Sequence, residues 1–280
     1  MRASSLLPLA TLALASGLAS AQALHGVAAM QGMPSIAEGY LKATPVPGKP
    51  LEQKLDLWMT PLHSQTPYRS YQVEMTKKLH VVIVGSDFKS FQHVHPELTP
   101  SGHFTLTQAF PAPGVYQVYA DGLPDQSPQH QVFRFELHVG NAATASKPDL
   151  KPTPKAVNVG PYEVDLSNLR LHSGRMEMVD INILKNGQPA KDLHPYLGAP
   201  AHAIFLNEAD LSYVHAHPMS MDQMMMDMSK PMPDLPDTAT VASDMMLHLA
   251  IREPGTYKLW LQFRGAGNQL YIAEFTVYAS

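Results

Sequence analysis

Two groups of three histidines recur in the chain with the same internal spacing. His80, His93 and His95 form the first group, and His202, His215 and His217 form the second. In each group 13 positions separate the first two histidines, and the closing His-x-His is followed by proline. Of the 17 positions from residue 80 to residue 96, only five are identical 122 residues later, and three of these are histidine. Because imidazole is the commonest metal ligand in proteins, the doubled pattern first indicates metal binding.

The spacing also predicts how the three imidazoles meet. Alternate side chains of a β-strand share a face, so the two histidines of each His-x-His point the same way, about 7 Å apart. The turn-like residues 85–87 predict a hairpin that places His80 opposite His93 or close to it, and the same reasoning applies to His202 and His215. Three imidazoles with a fourth position open are typical of an open zinc or copper centre. The alternative is that these histidines are buried, bond to the backbone, and occur twice because the sequence was duplicated.

Methionines concentrate directly after the second histidine group. Those predicted to bind metal are Met219, Met221, Met224, Met225, Met226 and Met228. Thioethers prefer Cu(I) to zinc, calcium or magnesium, so we expect copper, with zinc as the alternative. The other interpretation is a mobile insertion, or a short helix whose methionine face docks on the domain. His103 and His248 are candidates for a fourth ligand.

Short segments rich in β-branched and aromatic residues must position these side chains. They include LHVVIV, GVYQVYA and VFRFELHV in the first half, and AHAIFL, GTYKLWLQF and YIAEFTVY in the second. Segments of this kind with regular turn signals predict an all-β protein with two tandem immunoglobulin-like antiparallel β-sandwich domains. The expected divisions are a signal peptide 1–21, an N-terminal extension 22–50, a first domain 51–140, a proline-rich linker 141–156, and a second domain 157–280 with a Met-rich insertion 219–246.

A second matched motif supports the duplication. Residues 113–116, PGVY, correspond to residues 254–257, PGTY, at an offset that has grown from 122 to 141. The second unit therefore carries about 19 more residues than the first. They fall within the Met-rich insertion.

The composition limits the compartment and the partners. The first 21 residues combine one arginine, an apolar run and an Ala-x-Ala arrangement, which predicts a cleavable signal peptide and a periplasmic or secreted protein. No later stretch is long and apolar enough to predict a membrane span. There is no cysteine, which excludes disulfides and thiolate metal sites, and 20 basic against 24 acidic residues with no basic cluster argue against nucleic acid as a partner.

The histidine segments carry a family resemblance. Leu79 to Pro96, LHVVIVGSDFKSFQHVHP, and Gly187 to Pro218, GQPAKDLHPYLGAPAHAIFLNEADLSYVHAHP, resemble exported bacterial proteins with YtkA-like or copper-resistance-type immunoglobulin-like domains. The resemblance covers these hairpins and the PGxY strands, about half of the mature chain. It implies a β-sandwich, export and a part in metal handling. The second unit contains a DLHPYLGA segment that has no obvious sequence counterpart in the first.

These observations predict an exported protein that sequesters or transfers copper in the cell envelope. One three-histidine site is expected in each domain, assisted by the Met-rich loop, and the expected partner is an envelope metal-transport protein or metalloprotein. A first alternative is a copper or zinc enzyme, which would need a cleft above the metal and an acid or base such as Asp87 or Glu97 beside it. A second alternative is a structural or adhesion module whose histidines serve only the fold.

Overall fold

The computed structural model describes residues 22–29, 35–141, 147–220, 223 and 233–280. Across these ranges the regular structure is almost entirely β, and no helix is long and apolar enough to cross a membrane. The strands of the first half are β1 (Leu24–His25), β2 (Val27–Ala28), β3 (Ala37–Val46), β4 (Lys49–Pro61), β5 (His80–Gly85), β6 (Phe91–Val94), β7 (Glu97–Leu98), β8 (Phe104–Ala109), β9 (Gly114–Gly122) and β10 (Gln131–Val139). Those of the second half are β11 (Ala156–Val159), β12 (Tyr162–Leu166), β13 (Arg170–Leu171), β14 (Met176–Lys185), β15 (Gln188–Pro189), β16 (His202–Asn207), β17 (Tyr213–Ala216), β18 (Met219–Ser220), β19 (Asp244–Ala250), β20 (Gly255–Arg264) and β21 (Leu270–Ala279), with one 3-10 turn at Ala266–Asn268.

The strands form two consecutive sandwiches, which confirms the predicted all-β fold of two tandem immunoglobulin-like domains. The first domain has sheets in the order β1-β3-β4-β8-β7 and β2-β10-β9-β5-β6. The second has sheets in the order β11-β12-β14-β19-β18, with β15 beside β14, and β13-β21-β20-β16-β17. Among the strands of the described residues, pairing is antiparallel except between β13 and β21, which are parallel. Each sandwich buries its own apolar core, as alternating strands require.

Residues 22–29 and 35–50 belong to the first domain, so the expectation of an N-terminal extension ending at residue 50 differs from the structure. Strand β3 pairs along β4, while the short β1 and β2 each join a different sheet. The prolines that suggest a boundary are accommodated at the end of the β3–β4 hairpin, where the register shifts after Pro45. A proline is tolerated at such an irregularity because its missing N–H breaks no ladder bond. The predicted signal peptide, 1–21, lies outside the described residues.

The described part of the proline-rich linker packs on the folded domains. Thr276 donates its hydroxyl to the backbone carbonyl of Lys151 at 2.7 Å, and its backbone N–H bonds to the Thr153 hydroxyl at 2.9 Å. Leu150 packs beside the cluster that joins the domains. The connection therefore packs against the second domain, beside the interface between the domains.

The two domains meet through the sheets that carry the histidines. Every residue of β5 and of β16 is buried, because one face of each strand lies on its own core and the other faces the partner domain. A third apolar cluster fills this interface; its members include Val82, Val84, Tyr119, Ile204, Leu206, Tyr213 and Trp260. Val82 and Val84 alternate along β5 on the same face as His80, and Ile204 and Leu206 do so with His202. The histidines therefore lie on the faces that join the domains.

Matched aromatic pairs show that this interface has approximate two-fold symmetry. Tyr119 of the first domain stacks on Tyr213 of the second with ring centroids 5.0 Å apart and planes at 16°. Trp260 of the second domain stacks on Phe91 of the first at 4.9 Å and 18°. Residues 119 and 260 are related by the offset of 141, and residues 91 and 213 by the offset of 122. Each half of the chain therefore presents the same face to the other.

Candidate metal centre

The first histidine group assembles on the hairpin of β5 and β6. Val81 pairs with Val94 and Val82 with His93, so His80 and His95 fall at the next position along the same ladder. His80 Nδ1 lies 3.2 Å from His93 Nε2. The ring of His95 is centred 4.6 Å from that of His93 and 5.0 Å from that of His80. One ligand nitrogen from each of the three lies within 4.8 Å of the others.

The second group has the same arrangement on β16 and β17. His202 Nδ1 lies 3.1 Å from His215 Nε2, and His215 Nε2 lies 3.1 Å from His217 Nε2. Ala203 pairs with Ala216, which again places the first and third histidines at matching positions. Both hairpins therefore bring their histidines to one face, as the 13-residue spacing predicts.

The two groups form one cluster rather than one separate site per domain, which corrects the expectation from the sequence. The ring of His80 is centred 5.2 Å from that of His215, and the ring of His93 lies 5.6 Å from that of His202. Ligand nitrogens of His80, His202 and His215 also lie within 4.8 Å of one another. The physical reason is that both hairpins present their histidine face to the domain interface. We call these residues the six-histidine cluster: His80, His93, His95, His202, His215 and His217.

Backbone carbonyls fix the orientation of the first histidine in each group. His80 Nε2 lies 3.0 Å from the carbonyl oxygen of Glu74, and His202 Nε2 lies 3.0 Å from that of Tyr196. Since a carbonyl can only accept, both histidines carry their proton on Nε2 and leave Nδ1 as a lone pair. The carbonyls belong to equivalent tight turns, 74–77 and 196–199, in which the two central residues have positive φ. The DLHPYLGA segment of the second unit has no sequence counterpart in the first, but its turn has a backbone counterpart at residues 74–77.

The central histidine of each group is oriented by the other domain. His93 donates from Nδ1 to Gln262 Oε1 at 2.8 Å, and His215 donates from Nδ1 to Asp121 Oδ2 at 3.2 Å. Residues 121 and 262 are equivalent under the offset of 141, and each is the strand partner of the first histidine of its own domain. In neutral rings these bonds leave Nε2 of His93 and of His215 as lone pairs.

With both rings neutral the facing nitrogens are both acceptors, so a proton or a metal ion must lie between them. In each domain a lone pair on Nδ1 of the first histidine meets a lone pair on Nε2 of the second, at 3.2 Å and 3.1 Å. Two acceptors at this distance repel unless they share a positive centre. A tetrahedral metal with bonds of about 2.0–2.1 Å to nitrogen separates its ligand atoms by about 3.3 Å. His95 Nε2 is buried and makes no hydrogen bond, so it is also free to bind a metal. The donor set fits a transition-metal ion.

Burial favours the neutral form, which binds metal, in five of the six histidines. Burial, together with neighbouring histidines, lowers the pKa of His80 to about 4 and that of His95 to about 3. The same causes hold the pKa values of His93, His202 and His217 well below their usual range. At neutral pH a metal ion therefore has few protons to displace from these rings.

A charged network borders the cluster on one side. His130 lies between Asp121, at 3.2 Å, and Glu74, at 2.7 Å. Burial opposes the charge of His130, but the hydrogen bonds that it donates to these carboxylates raise the pKa of His130 to about 10. Burial likewise opposes the charge of Asp121, but bonds from His130 and His215 hold the pKa of Asp121 below its usual range. The carboxylate that orients His215 is thus ionised.

A cleft of about 600 Å³ opens onto this network and onto the cluster. Its lining includes Glu74, Asp121, His130, Tyr213, His217 and Arg252. Neither acid proposed from the sequence lies here. Asp87 is in the turn after β5, where it accepts from the backbone N–H of Lys89, and Glu97 is in β7 of the opposite sheet.

The methionines predicted as ligands divide between described and undescribed residues. Met219 is in β18, directly opposite Met246 of β19. Met221, Met224, Met225, Met226 and Met228 lie outside the described residues. Of the two candidate fourth ligands, His103 bonds to Asp56 at 2.7 Å and stacks on Trp58, whereas His248 contacts Met246.

Sequence reasoning missed Asp121, Gln262, His130 and the turn carbonyls. Asp121 and Gln262 could have been found, because they occupy the same place after the two PGxY motifs, at an offset of 141. An aromatic residue two positions before each His-x-His, Phe91 and Tyr213, is a second matched signal. The turn carbonyls give no side-chain signal at all.

Comparison with known proteins places the chain in a sequence family. The sequence matches the family described as "Domain of unknown function (DUF8832)" over residues 39–140 and again over residues 156–280. No curated protein has a significant sequence match to the chain. Among solved structures, the chicken interferon gamma receptor alpha chain is 12% identical, with 85% of this chain and 95% of that one covered at a TM-score of 0.24. A glycosyl hydrolase family 2 member from Bacteroides cellulosilyticus is 8% identical, with 88% of this chain and 29% of that one covered, also at 0.24.

Proposed function

The chain belongs to the family described as a domain of unknown function (DUF8832), a description that states no activity, and we propose from the site itself that the protein binds copper in the six-histidine cluster. One observation carries this proposal. In both domains the outer hydrogen bonds of the histidines leave lone pairs facing each other at 3.1–3.2 Å. A partly buried set of imidazoles from two domains is a ligand set for a transition metal.

Copper is preferred to zinc on chemical grounds. Sites made of imidazole bind Cu(II) more tightly than other divalent first-row metals, including zinc. The methionines that follow His217 supply thioethers, which prefer Cu(I). The six imidazoles are enough for two ions with three nitrogen ligands each. The role that fits is sequestration or transfer of copper in the cell envelope, with an envelope metal-transport protein or metalloprotein as partner.

Metal analysis of mature, tag-free protein tests the proposal. After incubation with equimolar Cu(II) and Zn(II) followed by desalting, we expect one to two copper ions per chain and little zinc. His215→Ala should lower the copper content, because His215 contributes to the centre of the cluster. His138→Ala is the matched control, since His138 is exposed and pairs only with Glu136 in the described contacts. Equal copper content in all three proteins would refute the assignment to the cluster.

The cleft supports a second candidate, a copper enzyme. It opens directly onto His215 and His217 and carries the Asp121–His130–Glu74 network, which could hold or move a proton. Oxygen consumption by the copper-loaded protein, with ascorbate or a small phenol as electron donor, separates the two functions. Turnover that is lost in His215→Ala would favour the enzyme. Copper retention without turnover would favour capture and transfer.

A further inference from the structure

The outer face of the sheet that contains β14, β18 and β19 carries an unusual set of soft side chains. Strand residues alternate, so Val179 and Leu247 enter the core of the second domain while their neighbours point outward. The outward positions include Met178, Met219, Met246 and His248, which we call the methionine–histidine patch; Asp180 lies on the same face, opposite Met246. Met178 is 61% exposed, and Met176 beside it is 65% exposed. Neighbouring exposed apolar side chains are more informative than a single one, because contiguous apolar patches often mark binding sites.

Register brings the members of the patch together. Met219 is paired with Met246, and Met178 is paired with His248, each directly across a strand boundary. Directly opposite side chains on one face have Cβ atoms about 4.5–5.5 Å apart. Met246 and His248 are two positions apart on β19 and share that face. The His248 Nε2 atom lies 3.2 Å from Met246 Sδ. A nitrogen and a sulfur are therefore already close enough to bind one ion.

The chemistry of the patch selects one class of ion. Thioether sulfur is a soft ligand that binds Cu(I) and is a poor ligand for zinc, calcium or magnesium, whereas imidazole accepts several metals. Two or three thioethers with one imidazole thus favour a monovalent soft cation over any divalent one. We propose that the methionine–histidine patch is a second metal site, which binds Cu(I) and is separate from the six-histidine cluster.

The position of the patch relates the two sites. Strand β18 begins two residues after His217, so Met219 is the nearest member of the patch to the cluster along the chain. His217 and Met219 also line one small cavity together. Cu(I) held by the patch would therefore be close to the imidazoles, and the undescribed methionines 221–228 begin directly beyond Met219. The patch does not depend on the cluster, since it shares no ligand with it.

Methionine-methyl NMR with Ag(I), a redox-inert substitute for Cu(I), tests the patch directly. With 13C-methyl methionine in the full protein and signals assigned by single Met→Leu variants, we expect Met219 and Met246 to shift together below one equivalent of Ag(I). Met245 is the internal control, because it is adjacent to Met246 but buried in the core. Shifts confined to methionines 221–228, or no shift at all, would overturn the proposal.

Competition with a Cu(I) chelator under anaerobic conditions gives the second readout. Met246→Leu and His248→Phe should each weaken Cu(I) binding at the patch about tenfold or more, whereas Met245→Leu should leave it unchanged. The three variants are compared in wild-type protein and in His215→Ala, so that loss of the cluster and loss of the patch are separated. If His215→Ala binds no Cu(II) but the patch variants still lose Cu(I), both proposals stand. If Met246→Leu binds Cu(I) as the parent does in both backgrounds, the patch is not a metal site.

Discussion

Asp121 and Gln262 occupy equivalent positions but are chemically different, and this makes the two halves of the cluster unequal. Asp121 accepts the Nδ1 proton of His215 as a carboxylate, while Gln262 accepts that of His93 as a neutral amide. A carboxylate partner increases the basicity of a metal-binding imidazole more than an amide does. The first metal ion should therefore bind through His215, in the half contributed by the second domain.

Asp121→Asn should weaken copper binding about 10- to 100-fold, because the neutral amide no longer strengthens His215 as a ligand. Competition titration against a Cu(II) chelator measures the change, and circular dichroism checks that the fold is retained. Asp149→Asn is a suitable control, since Asp149 is exposed and pairs only with Lys151 in the described contacts. An affinity equal to that of wild type would show that Asp121 does not act on the metal.

The metal-free protein should lose stability as the pH falls from about 6.5 to about 4. Burial lowers the pKa of His80 to about 4. Between pH 6.5 and pH 4, His80 is therefore protonated in the unfolded chain but neutral in the folded chain. Above pH 6.5 both states are neutral and His80 contributes nothing to the pH dependence. Below pH 4 the free energy of unfolding is lower by the full amount, on the order of 3 kcal/mol for one such histidine. Urea unfolding at pH 7, 5.5 and 4 measures it.

His80→Phe identifies the source of that acid sensitivity. The variant removes one titrating group and keeps a ring in the same buried space, so its stability should fall less between pH 7 and pH 4. His138→Ala, at an exposed position, should behave as the parent does. The same slope in His80→Phe and the parent would assign acid sensitivity to other groups.

At the level of strands, the sequence predicts the hairpins but not what covers them. The 13-residue spacing and the turn residues suffice to place His80, His93 and His95 on one face. The runs Val81–Val84 and Ala203–Leu206 are continuously apolar, a sign of strands buried on both faces. What covers the second face lies more than 120 residues away, and local periodicity carries no information about so distant a partner. The expected boundary at residue 51 differs from the structure because Pro45 and Pro47 resemble a linker in sequence, whereas they lie in the β3–β4 hairpin.

Trp260→Ala should uncouple the two domains. Trp260 is 1% exposed and packs between Phe91 and Phe88 of the first domain. Replacing a buried tryptophan with alanine costs about 3–5 kcal/mol, and here the loss falls on the interface. We expect calorimetry to resolve one unfolding transition into two, with weaker copper binding. Phe205→Ala serves for comparison, because Phe205 is on the adjacent strand but faces the core of the second domain and should destabilise that domain alone.

For the molecule as a whole, the shared cluster predicts that metal stabilises both domains together. A ligand that binds only the folded state at 100 times its dissociation constant adds about 2.7 kcal/mol. Because ligands come from both hairpins, hydrogen exchange in β5 and in β16 should slow together when copper is added. His95→Ala, a change in the first domain, should reduce the protection of β16 as well. Protection limited to the domain that keeps its three histidines would show that the two halves bind metal independently.

The approximate two-fold symmetry of the interface also bears on how such a molecule can arise. An interface in which each half presents the same face to the other is one that a single domain can form with a copy of itself. A homodimer of that kind must place the same residue at both equivalent positions. Joining the two copies in one polypeptide removes that restriction. Position 121 is then free to be aspartate while position 262 is glutamine, and only one copy needs to gain the methionine-rich insertion. After gene fusion, the residues on the two sides of a symmetric metal site can change independently of each other.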